Sequence, residues 1–147
     1  MPTRKQVAAL PLRQDKDGAL QILLVTSRDT GRWIIPKGWP SKRLKDCKAA
    51  AREAREEAGV KGKIFRRAIG SYRYLKRELG TGSLVEVSVF LLRVSKHCKR
   101  WPEKQERRRA WFNLEDAASR VSDPELSHLI GMLKKKRAGN CNNPPAA

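Results

Sequence analysis

Three glutamates, Glu53, Glu56 and Glu57, fall at i, i+3 and i+4 in a stretch whose composition favours helix. Residues 49–58 read AAAREAREEA, with no Gly or Pro, and Gly59 follows as a stop signal. On a regular helix this spacing gathers three carboxylates on one face, where like charges repel. A hard cation such as Mg²⁺ offsets that repulsion, because it takes oxygen ligands and keeps waters for a phosphate substrate. The bland alternative is a solvated acidic face neutralised by Arg52 and Arg55. The preceding residues shift the balance towards metal. Trp33 to Pro40, WIIPKGWP, is an apolar, rigid, glycine-punctuated loop leading into the acidic helix. Such a loop–helix unit can hold a phosphate chain against metal-bearing carboxylates. Ala50, Ala54 and Ala58 recur every four residues and leave one helix face small enough to pack closely on a sheet.

Other elements must position that helix. Gln6–Leu12 and Ala19–Thr26 are apolar runs around an Asp15–Gly18 turn signal, which predicts a β-hairpin. Pro11 predicts that the first strand lies at an edge or ends there. Ser27–Arg32 is a polar loop in which Arg28, more than Arg32, is a candidate phosphate contact. Gly62–Leu75 reads as one strand of mixed pattern, Lys76–Gly82 as a hairpin loop, and Ser83–Val94 as the most β-prone run of the chain. Within it Val85, Val87 and Val89 alternate with Glu86 and Ser88. Glu86 reads first as an exposed or ion-paired residue and second as a base or extra ligand. Ser95–Arg109 is too basic and irregular for a core element, and His97 reads as a loop residue. Arg107 to Arg109 can grip phosphate, with Arg109 favoured because it stands just before Trp111-Phe112. Asn113 caps a short helix over Leu114–Ser119. Asp123-Pro124 opens another, about Pro124–Lys136, whose stripe Leu126, Leu129, Ile130 and Leu133 is core.

Gly38, followed at the family spacing by Arg52-Glu53-Ala54-Arg55-Glu56-Glu57-Ala58-Gly59-Val60, resembles the Nudix box, G-x5-E-x7-R-E-U-x-E-E-x-G-U. Two positions depart from it. Ala54 stands where a larger aliphatic residue is usual, and Leu44 where the first glutamate belongs. That glutamate mainly supports the box arginine, so the resemblance implies a surviving site in which Arg52 finds another partner. Ser27-Arg28, Arg32 to Pro36, Arg109 to Phe112 and Leu114 to Ala117 are similar to diphosphoinositol polyphosphate phosphohydrolases. The likeness spans roughly residues 5–133. It implies an α+β fold, an α/β/α sandwich with a mixed sheet and a loop–helix–loop box. It implies Glu53, Glu56 and Glu57 as ligands of Mg²⁺ or Mn²⁺. Arg52, Glu56 and Glu57 are then catalytic, with Glu56, Glu57 or a residue outside the box as base. Glu103 and Glu106 enter here, because Nudix enzymes sometimes take a base from a late loop. Lys37 and Arg28 would hold phosphates, with Arg109 as a further contact. Gly38 admits the backbone to them. Trp39, where the family has a glycine, stacks on a base or shapes the loop.

A chain of 147 residues suits one domain, expected over residues 1–137, with residues 138–147 (AGNCNNPPAA) as a disordered tail. Neither a membrane-spanning run nor an apolar signal segment is visible, so a cytoplasmic protein is expected. Cys47, Cys98 and Cys141 fit neither a zinc pattern nor a disulfide framework. The net charge of +18 attracts polyanions. No zinc finger, RNP motif or clear helix-turn-helix accompanies it, so nucleic acid is the less favoured partner and a polyphosphorylated small molecule the more favoured. The expected activity is therefore metal-dependent cleavage of a phosphoanhydride in a diphosphoinositol or diadenosine polyphosphate. The alternatives are a MutT-like nucleoside triphosphate or ADP-ribose pyrophosphatase, and a non-catalytic Nudix-fold binder of RNA or polyphosphate.

Overall fold

Strand β1 (Thr3–Gln14) is buried on both faces, and the sheet is assembled on it. The computed structural model describes residues 3–78 and 81–139, the side chains of 77, 78, 81 and 134–139 excepted. One edge of β1 runs parallel to β7 (Thr81–His97) from Thr3↔Leu84 to Leu12↔Arg93. Its other edge pairs with β4 (Lys37–Gly38) near the start and with β2 (Leu20–Thr26) near the end. The sheet order is β3 (Trp33–Ile34), β2, β1, β7, β5 (Val60–Ile64). β8 (Arg109–Asn113) pairs with β2, and β6 (Gly70–Glu78) with β7. One parallel pair among antiparallel ones makes the sheet mixed.

Alternation sends side chains into two cores. Ala8, Leu10, Ile22, Leu24, Val85, Val87 and Val89 face α2 (Leu114–Arg120) and α3 (Pro124–Gly139). Val7, Ala9, Leu23, Val25, Phe90 and Leu92 face α1 (Asp46–Glu53) and the π-helical turn Ala54–Ala58 that continues it. Ala49, Ala50, Ala54 and Ala58 are fully buried there. Small side chains bring this helix close to the sheet, as the four-residue alanine spacing predicts. The result is the expected α/β/α sandwich.

Several expectations need correcting. β1 is an interior strand, although it contains Pro11. The N–H of Ala9 donates to the Pro36 carbonyl, so the missing N–H of Pro11 lies on that same edge, in the gap between the β4 and β2 pairings. Gly62–Leu75 is two strands, because β5 and β6 lie end to end along one edge of the long β7. The turn after β6 is shorter than Lys76–Gly82, since pairing continues to Glu78↔Thr81, with 79 and 80 outside the described residues. β7 reaches His97, and α3 reaches Gly139. The remainder of the expected tail, with Cys141, also lies outside the described residues. The Asn113 cap is as expected, its side chain accepting from the Asp116 N–H at 2.8 Å. None of the described helices is long and apolar enough to cross a membrane.

Candidate active site

The acidic helix begins at Asp46, earlier than composition suggested, and its last five residues form a π turn. Gly59 stops it in the left-handed conformation, φ 65°. A π turn is wider than an α turn and is frequent at functional sites. It separates the three carboxylates that regular spacing would gather. Glu53 and Glu57 stay within hydrogen-bonding reach of each other. Glu56 turns instead towards Arg55, at 3.5 Å. Among the described residues no three His, Cys, Asp or Glu side chains converge closely enough to hold a metal ion as they stand.

Glu57 is the buried member, 6% exposed. Its carboxylate accepts from the Lys37 backbone N–H at 3.3 Å. Burial pushes its pKa up to about 8. Arg107 opposes that shift only from 3.9 Å, because its guanidinium is already closed on Glu103 at 2.8 Å and on the Thr26 carbonyl at 3.0 Å. Burial also raises Glu53, with Glu56 adding to the shift and Glu57 and Arg52 opposing it. Gly38 lies directly against the Glu53 carboxylate, and a Cβ there would collide with it. Arg52 influences Glu53 through space, but among the described residues no hydrogen bond or ion pair reaches its guanidinium. Leu44 is 36% exposed and supplies no substitute partner.

The predicted substrate residues divide into groups. Lys37 and Gly38 are the ones beside the carboxylates: burial lowers the Lys37 pKa while Glu57 and Asp123 pull it up, and its Nζ lies 5.1 Å from the Tyr74 ring centre. Trp39 is an exposed indole with Arg4 at 4.2 Å and Lys76 at 5.3 Å from its centre, so cations occupy its surroundings. Arg28 is an exposed rim residue, paired with Glu106 at 3.0 Å. Arg109 has a structural task. It donates to the carbonyls of Ala58, Gly59 and Cys98 and lies 4.0 Å from the Trp101 ring centre, clamping the end of the π turn. His97 ends a strand, where its Nε2 accepts from the Trp111 indole N–H at 3.0 Å. Glu86 lies opposite Arg73 and Lys5, with no contact to the acidic pair.

Sequence reasoning missed the importance of Arg107 and Asp123. The four-residue interval from Glu103 to Arg107 was a visible signal, since such pairs meet on one turn. Nothing in the chain announces that this guanidinium would be buried against Glu57, 50 residues away in sequence. Asp123 is half-buried, its pKa raised by burial against the pull of Lys37 and Arg32.

The chain is similar to several known proteins. The family model described as NUDIX domain matches residues 2–130. Diphosphoinositol polyphosphate phosphohydrolase 3-alpha of Mus musculus is 31% identical over 142 residues, covering 95% of this chain and 82% of that protein. Nudix hydrolase 16, mitochondrial, of Arabidopsis thaliana is 30% identical over 141 residues, covering 87% and 78%. Among solved structures, the C. elegans Ap4A hydrolase binary complex superposes with a TM-score of 0.69 at 22% identity, covering 92% of this chain and 98% of that one. The likeness to that structure is one of fold.

Proposed function

The chain belongs to the Nudix hydrolase family, and on that premise we propose that it cleaves a phosphoanhydride bond in a highly phosphorylated small molecule, of the diphosphoinositol or diadenosine polyphosphate class. The observation that carries this reading is the Glu53–Glu57 pair, set beside the Gly38 backbone and next to the Lys37 side chain. The donor set suits a hard cation. Two carboxyls are held together against burial, and Glu57 keeps its proton up to about 8, a proton that a divalent ion can replace. Glu53 and Glu57, with Glu56 once it leaves Arg55, would hold Mg²⁺ or Mn²⁺. Such an ion neutralises phosphate charge and lowers the pKa of an attacking water. Gly38, having no side chain, lets the Glu53 carboxylate sit directly against the loop backbone. Lys37 and Arg28 would grip the remaining phosphates, and Arg107 would fix Glu57 and Glu103, two candidates for the base. The charge of +18 favours a substrate with many phosphates over a simple sugar nucleotide.

A turnover panel tests this. Diphosphoinositol polyphosphate, diadenosine polyphosphates, ADP-ribose and nucleoside triphosphates are offered with Mg²⁺ or Mn²⁺, and the Glu56→Gln/Glu57→Gln protein serves as blank. Metal-dependent cleavage of the first two classes, absent from the blank, is expected. Cleavage confined to ADP-ribose or triphosphates would overturn the substrate class. Silence together with no metal binding would overturn the mechanism and leave a binder.

A further inference from the structure

The sheet region opposite the acidic helix gathers cations without carboxylates. Residues 58–72 carry Lys61, Lys63, Arg66 and Arg67, and residues 87–102 carry Arg93, Lys96, Lys99 and Arg100, with no Asp or Glu in either span. Strand register sets Lys61 opposite Lys96 and Lys63 opposite Arg93. Like charges directly opposite in an antiparallel pair destabilise it. All four side chains are exposed. Among the described residues none of the four pairs with a carboxylate.

A bulge brings both pairs to one face. Val60 and Ile64 point into the core under α1, so Lys61 and Lys63 point to the other side of the sheet. On β7, Arg93 and Lys96 are three residues apart and would face opposite ways in a regular strand. The register shift between Lys61 and Gly62 leaves Ser95 as an extra residue in β7, and the bulge turns Lys96 to the side of Arg93. Gly62 permits this geometry, because a Cβ there would collide with the Arg93 carbonyl. The four cations therefore form a compact group on the face away from Glu53 and Glu57. α2 and α3 cover that face nearer β2 and β6 and leave the group in solvent.

We propose that this face docks the phosphodiester backbone of double-helical nucleic acid. A repeating row of phosphates supplies the anions that two adjacent like-charge pairs lack. Unpaired bases would need exposed aromatic rings for stacking. Phe65 is buried, and His97, opposite Val60, faces the other layer. Recognition is accordingly of backbone charge, without sequence preference. The proposal is independent of the hydrolase substrate, since the two surfaces lie on opposite sides of the sheet.

Fluorescence anisotropy of a labelled mixed-sequence DNA duplex, titrated with the full chain at stepped KCl concentrations, tests it. Lys61→Gln/Lys63→Gln/Arg93→Gln/Lys96→Gln is expected to weaken binding and to lower the log–log salt slope by about 3–4, since each phosphate contact contributes about 0.9. Lys16→Gln/Lys48→Gln/Lys104→Gln/Arg120→Gln removes the same charge elsewhere and should keep most of the slope. Lys61→Gln/Lys96→Gln alone should lose about half of the effect, and should melt higher because one repulsive pair is gone. An unchanged slope in the four-site patch variant overturns the proposal. So does an equal loss in both four-site variants, which would reduce the effect to net charge. Patch-dependent binding to polyglutamate or phosphatidylserine vesicles, with none to the duplex, would also overturn it.

Discussion

Glu57 stands where burial, metal chemistry and stability meet. Its carboxyl holds a proton up to about 8, well above the ordinary glutamate range, because burial outweighs Arg107. Between those two pKa values the folded state binds more protons than the unfolded one. Stability is therefore fully present below the ordinary range and lost as pH rises through about 8. Without divalent cations, the thermal midpoint should fall between about pH 5 and pH 8, and Glu57→Gln should flatten that fall. A midpoint that rises over the same interval would show Glu57 ionised in its buried place. Leu44 poses the opposite case. It occupies the position of the first box glutamate yet is 36% exposed and belongs to neither core cluster. Leu44→Glu should leave stability within about 0.5 kcal/mol by denaturant titration. Activity should be similar or higher. A large stability loss would show the side chain to be core.

The π turn is an element held from outside. Its carbonyls receive the Glu103 N–H, the Arg109 guanidinium and, through Gly59, the Cys98 N–H. Trp101 packs against Gly59 so closely that a Cβ there would collide with the indole. Gly59→Ala combines that collision with a left-handed backbone, φ 65°, and should cost at least about 1–2 kcal/mol in chemical denaturation. An unchanged midpoint would mean that the turn can relax elsewhere. Arg107 ties the same loop to the site, its side chain only 8% exposed between Glu103, Glu57 and Thr26. Arg107→Met should cost about 3–5 kcal/mol, because Glu103 would be left without its partner. Arg107→Lys, which keeps the charge but loses the fork, should recover part of the stability and little of the turnover. Full recovery of turnover by lysine would exclude the bidentate positioning of Glu57 and Glu103.

At the scale of the whole molecule, charge is distributed by face. The acidic pair lies under one side of the sheet, with the Lys37 backbone N–H and the Arg107 guanidinium beside Glu57. The carboxylate-free group around Lys61 and Arg93 lies on the other. A net charge of +18 raises the encounter rate with anions at either place, and salt screens it. The KM for a polyphosphorylated substrate should therefore rise with ionic strength, while kcat changes little. Steady-state kinetics at stepped KCl would show this. A KM insensitive to salt would confine recognition to direct contacts at the site.

Local composition was sufficient for much of this architecture. The Ala-Arg-Glu run, the hairpin around Asp15–Gly18, the Asn113 cap and the Leu126–Leu133 stripe are all read from near neighbours, and near neighbours decide them. The spacing from Gly38 through Arg52 to Glu57 likewise carries the family in a single continuous segment. What the chain could not disclose are features set by contacts distant in sequence. The π turn that parts Glu56 from Glu53 and Glu57 is held by groups about fifty residues further on, the Glu103 N–H and the Arg109 guanidinium. The stretch between them buries Arg107 against Glu57, which depends on where β8 leaves the sheet. Pro11 became interior because β1 changes partners beside it. The four-cation face exists because one extra residue in β7 reverses a side chain. Residue types supplied the charges; register and burial decided which of them meet.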